Sequence, residues 1–398
     1  MPGFELFGDA ERKEVNDVLD TGVLMRYGFD AKRNGIWKAK ELEKAICDTF
    51  GVNHAQLTTS GTTAITVALA VMGIGEGDEV IIPTFTFVAS FEAVMSTGAI
   101  PVLVDIDETL CLDPKAVEAA ITEKTKAVMP VHMCGSMAEL DELKEICDKH
   151  NIFLLEDACQ AIGGTYKGKK LGTIGHGGTF SFDYVKTITC GEGGVFMTNN
   201  EDYAIKADQF TDHGHDHIGS DRGAEEHPFL GYNFRISELN AAVGLGQIRK
   251  LDEILATHRR NKAIIKEELS KVEGLTFRSI PDPKGDNASF ISFFLPTQEL
   301  AEKAHGALGA NGIPANFYWY KNNWHYIKKW EHLKNGTSLY PLNSNLKNHL
   351  ENTDFSKFKQ SDEIMGRTIS SLILLSWTEE EVKDRANKMR ETLQEVLK

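Results

Sequence analysis

The feature that most constrains this chain is an alternation running through its first half. Glu79 to Ile82, Pro101 to Val104, Ala127 to Val131 and Ile152 to Leu155 are short apolar runs suited to buried strands. Helix-period stretches lie between and beyond them, at Phe87 to Thr97, Pro114 to Ile121 and Met137 to His150. Strands alternating with helices argue for an α/β fold with a mostly parallel sheet covered on both faces. Upstream, Trp37 to Phe50 reads as an amphipathic helix closed by Gly51, and Ala64 to Met72 as a buried helix stopped by Gly73.

The texture changes after a glycine-dense segment, Gly163 to Gly194, which holds short β-like pieces such as Gly178 to Phe182. Ser237 to about Lys271 predicts one long helix or a bent pair. The expected division is a large domain over 1–250 and a smaller C-terminal α+β domain over 251–398. In the latter, Leu275 to Arg278 and Phe290 to Leu295 read as strands and Thr297 to Asn311 as a helix. Thr378 and Glu381 form a capping box that opens a last helix. Asn316 to Trp330 carries seven aromatic rings besides its histidine. It suits a packed interface and a substrate-facing wall equally.

Charge narrows the function. Forty-three basic residues against 58 acidic ones give a net charge of −15. That disfavours nucleic acid, which needs a basic footprint, and docking on an anionic membrane. No apolar run approaches the length of a membrane span, and the amino terminus shows no signal peptide, so a cytoplasmic protein is expected. The six cysteines form no C-x-x-C pair and read as reduced thiols.

Three local signals can carry chemistry. Ser60-Gly61-Thr62 precedes the buried helix, and a helix start suits a phosphate, although it is also an ordinary cap. Glu156-Asp157-Ala158-Cys159-Gln160 follows the strand Ile152 to Leu155, where α/β proteins place ligands; taken alone, Asp157 reads more readily as a turn or cap residue. Lys186 stands between an apolar run and the turn Gly191-Glu192-Gly193-Gly194. It is either a solvated lysine or an amine ready for covalent chemistry with a carbonyl. Taken in order, a phosphate cradle, an acid and a lysine are what pyridoxal 5′-phosphate requires.

These motifs, with Pro83 to Ser90 (PTFTFVAS), Ser181-Phe182 and Gly231-Tyr232-Asn233-Phe234-Arg235, resemble the DegT/DnrJ/EryC1/StrS sugar aminotransferases of the fold-type-I superfamily. The resemblance implies a homodimer with shared sites. It implies that Lys186 carries the cofactor and moves the proton, and that Asp157 pairs with the pyridine nitrogen. Gln160 would bond the phenolic oxygen and Phe87 would stack on the ring. Gly61, Thr62 and Ser181 would hold the phosphate, and Asn233 would reach the neighbouring subunit's phosphate. Relatives with histidine in place of the lysine act as dehydratases; Lys186 therefore favours transamination. Cys159 stands where many relatives have alanine.

Val131 to Met137, Asp212 to Gly219 and Phe317 to Tyr320 further resemble the branch that aminates a free eight-carbon oxo-sugar acid for lipopolysaccharide, with L-glutamate as donor. A nucleotide-linked 3- or 4-keto-sugar is the alternative acceptor. A catalytically silent regulatory scaffold and a lyase are the alternatives of other classes. Substrate contacts are expected from Arg235, His215, His217 and Tyr320, with Arg26 and Arg222 as further partners for carboxylates. His213, His215 and His217 would share one face of a strand and could ligate a metal. Gly214 and the flanking aspartates point instead to a loop, and no metal is expected.

Overall fold

A strand buried on both faces must find hydrogen-bond partners on both edges, and the apolar runs do so in one sheet. The computed structural model describes residues 2–219 and 221–398. β1 (His54–Thr58), β2 (Glu79–Pro83), β3 (Ile100–Val104), β4 (Thr125–Val128) and β5 (Phe153–Asp157) come first, followed by a small hairpin of β6 (Thr165–Tyr166) and β7 (Lys169–Lys170). β8 (Gly177–Ser181) and β9 (Gly194–Thr198) complete a seven-stranded sheet in the order β1-β9-β8-β5-β4-β2-β3. Only β9 runs against the others, pairing antiparallel with β1 and β8. The sheet is therefore mixed and mostly parallel, the α/β fold the alternation predicts.

Helices appear where the spacing predicts them, with shifted ends. Lys38–Phe50, Val88–Ser96 and Pro114–Ala120 match closely. The buried helix starts earlier, at Gly61, because Ser60 caps it through Thr63 N–H at 3.1 Å. The helix expected from Met137 starts only at Leu140. Residues 133–135 instead form a tight turn, with Cys134 at φ +55° and Asn287 N–H bonded to Gly135 O at 3.1 Å. The long C-terminal segment is a bent pair, Glu238–Ile248 and Leu251–Leu269. At the bend, Lys250 Nζ turns away to Leu6 O at 2.6 Å and Glu11 at 2.7 Å.

A second, antiparallel sheet is built from β10 (Thr276–Phe277), β11 (Phe290–Phe294), β12 (Asn316–Phe317) and β13 (Thr368–Leu372), in the order β10-β11-β13-β12. The last helix, Glu379–Val396, opens on the capping box: Glu381 N–H donates to Thr378 Oγ1 at 3.3 Å, and Glu381 Oε2 accepts from Thr378 N–H at 2.7 Å. One apolar core runs from the helix Gly61–Val71 through Phe85 and Phe91 to Phe290, Trp319, Tyr326 and Trp330. Among the described residues, no helix is long and apolar enough to cross a membrane.

The helix start packs closely against β8 and β9. A Cβ at Gly194 would stand 2.2 Å from Ser60 O, and one at Gly61 would stand 2.7 Å from Ser181 Cβ. Backbone cannot yield as a side-chain tip can. Gly194→Ala should therefore cost about 1–3 kcal/mol in denaturant unfolding and weaken cofactor retention in parallel. An unchanged midpoint would contradict this seat.

Candidate active site

Strand alternation sorts the two acids at the end of β5. The Glu156 carboxylate turns inward. It accepts from Gly172, Ile174 and Gly175 N–H at 2.8, 2.6 and 2.8 Å, and His132 Nε2 lies 3.1 Å away. His132 N–H also donates to Asp157 O at 3.0 Å, and Asp157 N–H to Pro130 O at 2.9 Å, so the strand end is pinned from both sides. The Asp157 side chain turns the other way and is 3% exposed. Ser90 Oγ donates to its Oδ2 at 2.8 Å and Cys159 N–H to its Oδ1 at 3.2 Å. A carboxylate can only accept, so the Ser90 proton is committed to it. Thr86, 2.6 Å behind Ser90, must then donate in turn.

Gln160 stands on the loop after Asp157. Its Oε1 accepts from Cys134 N–H at 3.1 Å, which leaves the NH2 group as its free donor. Asn287, from the loop before β11, reaches the Gln160 and Ile162 carbonyls at 3.4 and 3.3 Å. Burial and the Asp157 charge push the Cys159 thiol well above its usual range, with Lys186 pulling weakly the other way. It is a neutral wall residue, not a nucleophile.

The helix start Gly61–Thr62 and Ser181 form the next side. The would-be Cβ of Gly61 meets Ser181 Oγ and Cys159 Sγ, both at 3.1 Å. A side chain there would fill the space in front of the helix N–H groups. With glycine they stay open, as an anion requires. Lys186 follows on the loop after β8, where its N–H donates to Asp183 O at 2.9 Å. Its Nζ stands 6.0 Å from the centre of the Phe87 ring. The amino-terminal segment clasps this loop: Gly3 N–H donates to Lys186 O at 2.9 Å, and Phe4 stacks on Tyr184 at 4.3 Å. Open donors for a phosphate, a buried acid, an amide donor, a ring face and a lysine thus converge, and these residue types fit pyridoxal phosphate.

The aromatic segment divides between the core and the sheet edge. Tyr318, Trp319, Tyr326 and Trp330 are buried in the core. Trp324 and His325 instead border Phe87, with ring centres at 6.3 and 5.3 Å. Tyr320, expected at the substrate, is buried, and Lys328 Nζ bonds its hydroxyl.

The other expected substrate contacts are engaged with one another. Asp212, fully buried, receives Arg222 Nη1 at 2.8 Å, His217 Nε2 at 2.9 Å and Arg235 Nη1. His217 Nδ1 also meets Asp208 at 2.6 Å, and His215 Nδ1 lies 2.8 Å from Glu225. Arg26 is buried against Glu43 at 2.7 Å. These pairs hold the 208–235 segment, and a substrate carboxylate would have to displace one of them. The segment returns to the site through Thr59 N–H, which donates to Phe234 O at 3.0 Å; Asn233 beside it is exposed. Among the described residues, no group of three or more His, Cys, Asp or Glu is disposed to hold a metal. A cavity of about 450 Å³ lies along β1 beside Arg26 and Tyr27. Neither Lys186 nor Asp157 lines it, and the convergence of reactive groups, not the hollow, locates the site.

The class that this fold and this sheet edge define is the pyridoxal-phosphate aminotransferases. The chain belongs to the DegT/DnrJ/EryC1/StrS aminotransferase family, whose pattern matches residues 7–389. GDP-perosamine synthase of Vibrio cholerae is 34% identical over 342 residues, 84% of this chain and 88% of that protein. That of Caulobacter vibrioides is 43% identical over 233 residues, 58% of this chain; the match spans 62% of that relative's length. The crystal structure of 3-amino-5-hydroxybenzoic acid synthase superposes with a TM-score of 0.80 at 29% identity, over 98% of this chain and 97% of its own. The cofactor of the family is pyridoxal 5′-phosphate, and a related sugar aminotransferase is known in its pyridoxamine-phosphate form.

The Asp212 cluster makes stability depend on pH. Burial opposes a charged His217, but its bonds to Asp208 and Asp212 win and raise it from 6.5 to about 9. A raised pKa means a stabilisation that is complete below about 6.5 and lost as pH climbs through about 9. Against the same effect of burial, His217 and the arginines hold the Asp212 carboxyl far below its usual range, so its share is lost only in strong acid. His217→Gln should flatten the alkaline limb of a melting-temperature profile. An unchanged limb would contradict the assignment.

Proposed function

We propose that the protein is an aminotransferase that moves the amino group of L-glutamate onto a sugar carbonyl. The observation that carries the reading is the donor-satisfied, buried Asp157 at the same strand edge as Lys186 and the open helix start. When bound, pyridoxal phosphate supplies an electron sink for the carbon that gains or loses a proton. Gly61, Thr62 and Ser181 would hold its phosphate, Phe87 its ring face, Gln160 its phenolic oxygen and Asp157 its ring nitrogen. Two fixed donors keep the Asp157 charge in place. Lys186 Nζ would move the proton between the substrate carbon and the cofactor in each half of the reaction. It is half-buried beside Phe87. Lys186→Ala should lower kcat/KM by about 10³-fold or more, and Asp157→Asn by about 10²-fold or more.

The finer reading takes 3,8-dideoxy-8-oxo-manno-octulosonate as acceptor, giving the 8-amino sugar acid for lipopolysaccharide. Its support is the placement of the three stretches that suggest it. Val131 to Met137 supplies Cys134 N–H to Gln160 and His132 N–H to Asp157. Phe317 to Tyr320 includes Trp319, which packs on His325 at 4.5 Å. Asp212 to Gly219 forms the cluster beside Asn233. A GDP-linked keto-sugar is the second reading, favoured by the two relatives named GDP-perosamine synthase.

The working unit in this proposal is a homodimer with shared sites. Leu24, Phe29, Ile218, Leu230 and Tyr232 are exposed apolar side chains near Asn233 in sequence or on the neighbouring cluster, as a subunit contact requires. The test is a steady-state assay with L-glutamate and each acceptor. Parallel double-reciprocal lines with the octulosonate, and no turnover of the GDP-sugar, are expected. Turnover of the GDP-sugar alone would replace the finer reading. Intersecting lines at all concentrations would contradict the two-stage transfer.

A further inference from the structure

His325 reaches the sheet edge from the aromatic segment, not from the sheet. Two backbone bonds hold it there: Thr86 N–H donates to His325 O at 3.0 Å and Val88 N–H to Trp324 O at 2.9 Å. Its ring packs on Phe87 and, at 4.5 Å, on Trp319. The tautomer follows from Asn322. Trp324 N–H donates to Asn322 Oδ1 at 2.9 Å, which fixes that atom as the amide oxygen. The same oxygen lies 3.1 Å from His325 Nδ1. An amide oxygen carries no proton, so Nδ1 must be the donor and Nε2 is left as a bare lone pair.

The ring also stays neutral. Burial, and then the Lys186 charge, push its pKa down to about 3. Among the described residues, no donor meets Nε2. The residue is half-buried and tied to the wall beside Phe87 and Lys186. A fixed, uncharged acceptor in such a place selects a hydrogen-bond donor that arrives with the ligand. L-Glutamate offers none near its reacting carbon except the amine that must react. A sugar offers a hydroxyl on the carbon next to its carbonyl.

We propose that His325 Nε2 accepts a hydrogen bond from a hydroxyl of the amino acceptor, so that it binds substrate in the sugar half of the reaction and not in the glutamate half. This rests on the aminotransferase reading and deepens it by naming the group that tells a polyhydroxy acceptor from a plain oxo-acid. His325→Phe keeps the ring packing and loses the acceptor. His325→Gln puts an amide oxygen at the Nε2 position and restores it.

The two half-reactions are followed separately through the absorbance of the bound cofactor, in the loaded full-length protein. In the Phe variant the glutamate half should stay within about twofold of the parent, while kcat/KM for the sugar half falls about 10- to 100-fold. The Gln variant should recover most of that loss. A binding readout accompanies this. Quenching of tryptophan fluorescence by the unreactive 3-deoxy-manno-octulosonate, or by GDP-mannose if the nucleotide sugar is the acceptor, should weaken about tenfold in the Phe variant only. Equal slowing of both halves would overturn the proposal and make His325 a positioning residue for Lys186. No change in either half, or no rescue by Gln, would also overturn it. If the parent itself fails to respond to glutamate, the aminotransferase reading falls instead.

Discussion

The seat of one helix start between two strand ends is the constraint on which the rest depends. Gly61 and Gly194 let the helix Gly61–Val71 approach β8 and β9 so closely that a methyl group at either position would collide with neighbouring protein atoms. That approach brings the open N–H groups of the helix beside Ser181, and through the loop after β8 it fixes where Lys186 begins. The same edge carries the end of β5, which pairs in parallel with β8, so Asp157 and the lysine loop follow neighbouring strand ends without any long-range device. Six strands running one way put these ends together; the single reversed strand, β9, returns the chain after the lysine loop.

A second layer of order keeps the acid usable. Asp157 is anchored through its backbone by Pro130 and His132 and through its carboxylate by Ser90 and Cys159. Thr86 and Ser90 lie on the segment that also presents Phe87, and the aromatic segment bonds to that same stretch of backbone. The C-terminal part of the chain therefore reaches the site by two routes, through Trp324 and His325 at Phe87 and through Asn287 at Gln160. The apolar core shows the same continuity, passing from the first sheet to the second without a break.

Much of the first sheet was legible because parallel strands are apolar along their whole length and their helices have clear periods. β1 was not, since His54-Ala55-Gln56 at its start is too polar to signal a buried strand. The helix Glu201–Thr211 was missed because its pattern is weakly amphipathic. Asp157, Gln160, Lys186 and the Gly61 cradle could be read from local motifs, because each must sit at a strand or helix end. Asn287 and His325 could not, for the meaning of the first lies in carbonyls 125 or more positions away in the chain and that of the second in a tautomer. His217, Arg222 and Arg235 suggested substrate contacts because they fall in or near the distinctive motifs; spatially they close on Asp212.

The most direct test of the account is to locate the cofactor on the chain. The protein is loaded with pyridoxal phosphate, reduced with borohydride, cut into peptides and mapped by mass. The account predicts a single pyridoxyl modification on Lys186, lost in Lys186→Ala. Modification of another lysine, or none in protein that demonstrably binds the cofactor, would contradict it.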